Sequence, residues 1–89
     1  MDKAFAWQQM FENWPSSLEK RGLIVIENME PIDFRDFMIC DGLLAIERVR
    51  PDSSGARKTV VAFTAIVAVK FLDTEPISTL AQLGFMRNH

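Results

Sequence analysis

Five short runs of apolar and β-branched residues follow one another between Gly22 and Phe71, each closed by a turn signal and none long enough for a helix. This punctuation constrains the fold more than any other feature of the chain. Leu23-Ile24-Val25-Ile26 reads as a strand that is buried on both sides or tightly curved. A turn follows at 28–31. Ile32 and Phe34 alternate, and so do Phe37 and Ile39, but the two pairs are out of phase, as a β-bulge or sharp bend between them would produce. Asp41-Gly42 supplies the next turn, 43–50 the third strand and Pro51-Asp52-Ser53-Ser54-Gly55 a loop. Strands four and five are expected over 57–63 and 66–71. Only Thr64 and Ala65 separate them, too few for a hairpin with long arms, so the chain is expected to bend sharply there and join another region of the sheet.

A helix precedes this region. Over 2–14, Trp7, Met10, Phe11 and Trp14 recur at i, i+3, i+4 and i+7, a stripe of large side chains expected to pack on the sheet. Asp2 can cap its start, and Pro15 ends it by biasing Trp14 away from helical geometry. A polar connector covers 16–21. Beyond Asp73, one helical turn is expected over 78–83, capped by Ser78 and closed by Gly84, with a disordered end at Arg87-Asn88-His89. The fold class is mainly β: one domain over 1–89, with a helix at 2–14, a small, strongly bent, five-stranded open barrel at 22–72 and a tail at 73–89.

A domain of 89 residues has much surface for its volume, yet 48% of its residues are hydrophobic, among them seven Phe, two Trp and five Met. Such an excess favours a subunit that is partly covered by another. The run Val60-Val61-Ala62-Phe63 carries neither Pro nor a row of Lys to guard it, which makes it the candidate oligomer interface. The first residues lack a signal-peptide pattern, and no apolar run approaches the roughly 18 residues of a membrane span. A cytoplasmic protein without membrane contact is expected.

Motifs for catalysis are wanting. The lone histidine, His89, is the last residue, and a single cysteine, Cys40, reads as a small buried hydrophobe. Together they offer no ligand set for a transition metal. Asp33, Asp36 and Asp41 read as solvated or turn-forming, and alternation puts Asp33 and Asp36 on opposite faces unless a bulge intervenes. The four glycines fit neither G-x-G-x-x-G nor a phosphate-binding loop, and Ser53 and Ser54 have no partner base. The expectation is no enzyme, no metal and no cofactor.

One cluster is less ordinary. Arg48, Arg50, Arg57 and Lys58 flank the 51–55 loop in a chain of net charge −2 and pI near 5.3. With symmetric pairing, Arg50 faces Arg57, an unfavourable like-charge pair. Either Glu47, Asp52 or a neighbouring subunit neutralises the cluster, or it is a patch for an acidic partner or phosphate backbone.

Two segments carry a likeness to a known family. Phe37-Met38-Ile39-Cys40-Asp41-Gly42-Leu43-Leu44-Ala45-Ile46 and Phe63-Thr64-Ala65-Ile66-Val67-Ala68-Val69 resemble the Sm-like superfamily, its bacterial Hfq branch more than the eukaryotic Sm proteins. The likeness spans roughly 3–72. It implies an N-terminal helix on a bent five-stranded barrel, edge-to-edge rings of five to seven subunits, and RNA as a partner. The family's bend glycine falls near Arg35, its base-contacting Asn near Leu44, and the Tyr-Lys-His of Hfq at Phe63-Thr64-Ala65. RNA contact would therefore rest on Arg48, Arg50, Arg57 and Lys58. Two functions follow: a homo-oligomeric Sm-like protein that binds RNA or another polyanion, or a ring- or dimer-forming scaffold without nucleic acid.

Overall fold

Asp2 opens the first element. In the structure, a computed structural model that describes residues 2–87, its side chain accepts a hydrogen bond from the Ala4 amide at 3.2 Å and caps helix α1, Lys3–Glu12. The helix stops before Trp14, where the stripe suggested it would end. The Asn13 side chain donates to the Gln9 carbonyl at 2.8 Å, and Pro15 keeps Trp14 out of helical geometry. The stripe does face the core: Phe11 is 1% exposed, and Trp7, Met10 and Trp14 lean on the buried cluster.

Five strands follow: β1 (Gly22–Ile26), β2 (Ile32–Cys40), β3 (Leu43–Arg48), β4 (Lys58–Ala62) and β5 (Ile66–Lys70). They form one antiparallel sheet in the order β4-β3-β2-β1-β5. β3 is shorter than expected at its end, β4 at both ends and β5 by one residue. The break in alternation along β2 is real. Phe34 pairs with Arg48 and Asp36 with Glu47, which leaves Arg35 as the extra residue. The bulge also puts Asp33, opposite Leu23, and Asp36, opposite Glu47, on rungs of the same, outer face.

The connection from β4 to β5 is a single 3-10 turn, Phe63–Ala65. In a flat sheet of this order the two strands would stand four spacings apart, about 19 Å. The four residue steps from Ala62 to Ile66 reach about 14 Å at most. The sheet therefore curls until its two outer strands approach at that corner. At the end of the β1–β5 ladder far from that corner, a Cβ on Gly22 would lie 2.5 Å from the Lys70 carbonyl oxygen, so only glycine fits.

Inside the curl lie Phe11, Phe34, Phe37, Phe63, Ile24, Leu44, Ile46 and Ile66. Phe11 meets Phe37 edge-on at 5.0 Å and stacks on Trp14 at 5.5 Å, and Trp14 stacks in turn on Phe71 at 5.6 Å. Such aromatic pairs add about 0.5–1.5 kcal/mol each beyond their buried area. Cys40 is not in this core. As the last residue of β2, on the same outer parity as Met38, it is exposed.

The tail forms a 3-10 helix, Ile77–Leu83. It starts one residue earlier than expected and Ser78 does not cap it. The Thr79 amide and hydroxyl both donate to the Pro76 carbonyl, so the turn begins there. Gly84 closes it at φ 99, as its sequence position suggests. Arg87 is exposed, whereas Asn88 and His89, with the disorder expected of them, lie outside the described residues. No helix among the described residues is long and apolar enough to cross a membrane.

Candidate functional site

The β3–β4 hairpin is built from the Asp52 carboxylate outward. Its Oδ1 accepts hydrogen bonds from the Ser54 amide (2.8 Å), the Ser54 hydroxyl (2.6 Å) and the Ala56 amide (2.9 Å). The Asp52 carbonyl accepts from the Gly55 amide at 2.9 Å, and its own amide donates to the Ala56 carbonyl at 3.0 Å. The Ser54 hydroxyl, the Ala56 amide and, more weakly, the Arg48 charge hold the Asp52 carboxyl below its usual 3.8.

This loop corrects the expected register. The last rung joins the Arg48 amide to the Arg57 carbonyl at 2.8 Å, so Arg57 faces Arg48 and not Arg50. Arg50 leaves the ladder, and its carbonyl accepts from Arg48 Nε at 3.1 Å. Along β3, Arg48 shares the parity of buried Leu44 and Ile46; along β4, Arg57 shares that of buried Val61. Lys58 has the opposite parity, on the outer-face row Asp36–Glu47–Lys58. The fold thus gathers Arg48, Arg50 and Arg57 at the base of the loop and directs Lys58 to the other face.

Glu47 does not neutralise the group. It pairs with Arg35 at 3.1 Å, and Asp36 pairs with Lys20 at 3.7 Å. Among the described residues no ion pair includes Arg48, Arg50, Arg57 or Lys58.

The candidate interface divides in two. β4 is a terminal strand, with Val60 63% exposed on the outer face. Val61 turns its side chain into the core, and Phe63 is not an edge residue at all. It opens the 3-10 turn fully buried, 6.0 Å from the Phe11 ring, with its amide bound to the Gly42 carbonyl. β5 is the other terminal strand, and Val67 on it is exposed.

The outer face adds residues that sequence reasoning missed. Met38, Ala45 and Val60 form one rung across β2, β3 and β4, and Cys40, Leu43 and Ala62 another. Met38 is 76% exposed. The signal was present: once the bulge is placed at Arg35, Phe37 faces inward and Met38 outward.

An apolar cleft of about 400 Å³ between α1 and the tail is lined by Ala6, Trp7, Gln9, Met10, Asn13, Leu83 and Phe85, none of them titratable. Among the described residues, no group of three His, Cys, Asp or Glu could hold a metal ion. No protein-family model, curated protein or solved structure matches the chain.

Proposed function

We propose that the chain is a self-associating small-barrel module of the Sm-like kind, whose copies join the β4 edge of one subunit to the β5 edge of the next. The observation that carries this reading is the sheet order, which among the described residues leaves only those two strands with an unpaired edge. Pairing them would satisfy both rows of backbone groups, and the outer-face rung ending at Val60 would continue into the neighbour. The bulge at Arg35 supplies the bend that a glycine supplies in the family. Light scattering behind a sizing column at micromolar concentration should give five to seven subunits, and Val60→Lys, which puts a charge on the edge, should lower that mass. A wild-type mass of one subunit overturns the proposal.

In the assembled form the Arg48, Arg50 and Arg57 groups would repeat around the ring and serve as contacts for single-stranded RNA. Affinity should fall steeply with salt, because each neutralised phosphate releases counterions. The scaffold reading, without nucleic acid, has its own support in the placement of Lys58 on the outer face and in the carboxylate at the hairpin tip. Titration of labelled RNA at low and moderate salt decides between them. Binding that is lost in Arg50→Glu/Arg57→Glu with the oligomer intact supports RNA contact, and no binding at low salt leaves the scaffold.

A further inference from the structure

Loops whose successive backbone amides converge on one point are common seats for phosphate. The 51–56 loop has that convergence, but the point is already taken. The Ser54 and Ala56 amides and the Ser54 hydroxyl end on Asp52 Oδ1, and the Gly55 amide ends on the Asp52 carbonyl. We propose that the hairpin carries its own anion in Asp52, so that the candidate site takes an extended phosphodiester chain through arginine side chains alone and excludes a single phosphate group from its backbone amides. This rests on the RNA reading above and names the form of ligand which that reading permits.

The arginines suit such a ligand. Arg50 and Arg57 are exposed and outside any ion pair among the described residues. Arg48 spends its Nε on the Arg50 carbonyl and keeps its terminal nitrogens. Arg48 and Arg57 face each other on the last rung and Arg50 lies beyond it, so the basic group extends along the base of the hairpin. A polymer with a phosphate at every residue can touch several at once, and repetition around a ring adds weak contacts into a useful affinity. A free phosphate or mononucleotide reaches one or two arginines and meets an ionised carboxylate beside them. The hydrogen bonds to Asp52 keep that carboxylate charged throughout the physiological range.

The experiment follows the anisotropy of a labelled 20-nucleotide RNA of mixed sequence on the full chain at low salt, with unlabelled RNA, UTP and inorganic pyrophosphate as competitors. Counted per phosphate, the small competitors should act at least about 100-fold more weakly than RNA. Asp52→Gly, which vacates the amides, should improve pyrophosphate competition at least about tenfold. Asp52→Asn keeps an acceptor for the amides and removes the charge, so it should tighten RNA a few-fold without admitting pyrophosphate to the loop. The Ser54 and Ala56 amide resonances report whether each variant retains the loop. Where Asp52→Gly does not retain it, the wild-type and Asp52→Asn competitions decide. If RNA binds and pyrophosphate competes equally per phosphate, this inference falls and the RNA reading stands. If RNA does not bind the wild type at all, both fall.

Discussion

The α1 end of the molecule and the tip of the β3–β4 hairpin are both ordered, by opposite means. Around α1, order comes from apolar bulk: Phe11 is closed in by Trp14, Phe34, Phe37 and Phe63, with ring centroids 5.0–6.4 Å away. At the hairpin tip nothing is buried to that degree, and order comes from one carboxylate that holds two amides and a hydroxyl. The first arrangement joins the helix to the sheet core and should fail only with the whole fold. The second joins only Asp52, Ser54 and Ala56 and should fail by itself. A burial-ordered region suits a frame, and a polar-ordered, exposed loop suits a contact surface that can change without unfolding the frame.

The largest expected effect tests the burial side of this contrast. Phe11→Ala removes the ring at the centre of the aromatic group and should cost about 3–5 kcal/mol in denaturant unfolding. A cost under about 1 kcal/mol would mean that the helix rests on the sheet without holding it, and the contrast would break. Trp14→Phe is finer. It keeps an aromatic ring against Phe11 but loses the bond from the indole Nε1 to the Leu18 carbonyl, 3.1 Å long. It should cost about 1 kcal/mol, the net worth of one such bond.

The smallest effect is local and lies at the hairpin. The Asp52 carboxyl is held below its usual 3.8, so the loop's hydrogen bonds are fully formed above that value and are lost as pH falls through the lowered folded value. The Ser54 and Ala56 amide shifts should stay constant from pH 7 to about 4 and move only below it, while the amides of Ile24 and Val25 in β1, whose ladder partners carry no charge, remain unchanged in the same spectra. A transition shared by both regions would show that the tip is not an independent unit.

Much of the frame is legible in the residues. The α1 stripe follows from period alone, and the slip between Phe34 and Phe37 confines a bulge to Arg35 or Asp36 because inward and outward sides must alternate; the pairing of Asp36 with Glu47 then assigns it to Arg35. The hairpin register was not legible. Symmetric pairing sets Arg50 against Arg57, yet Asp52 draws the Ala56 amide into the loop and Pro51 has no amide to offer the ladder, so the pairing ends at Arg48 and never reaches Arg50. Lys58 falls outside the group for a simpler reason: successive side chains along a strand point to opposite faces, so in no register does it share a face with its neighbour Arg57. Cys40 and Phe63 were misplaced for a related reason. Both are strand-end residues, where a hydrophobic side chain is buried or exposed according to where the next turn takes the chain.

The three-residue turn at Phe63–Ala65 also sets an order in time. β2, β3 and β4 are neighbours in sequence, and their pairing closes only short loops. β5 must instead find β1, so Leu23 meets Lys70 across nearly the whole strand region. That contact bears the greatest chain-closure entropy of any in the sheet and is expected to form last. Until it does, β1 is itself an open edge, and the pocket that receives Phe63 and Ile66 is incomplete. Substitutions along the β1–β5 ladder should therefore speed unfolding and leave the folding rate nearly untouched, whereas substitutions in the β2–β3 ladder should slow folding.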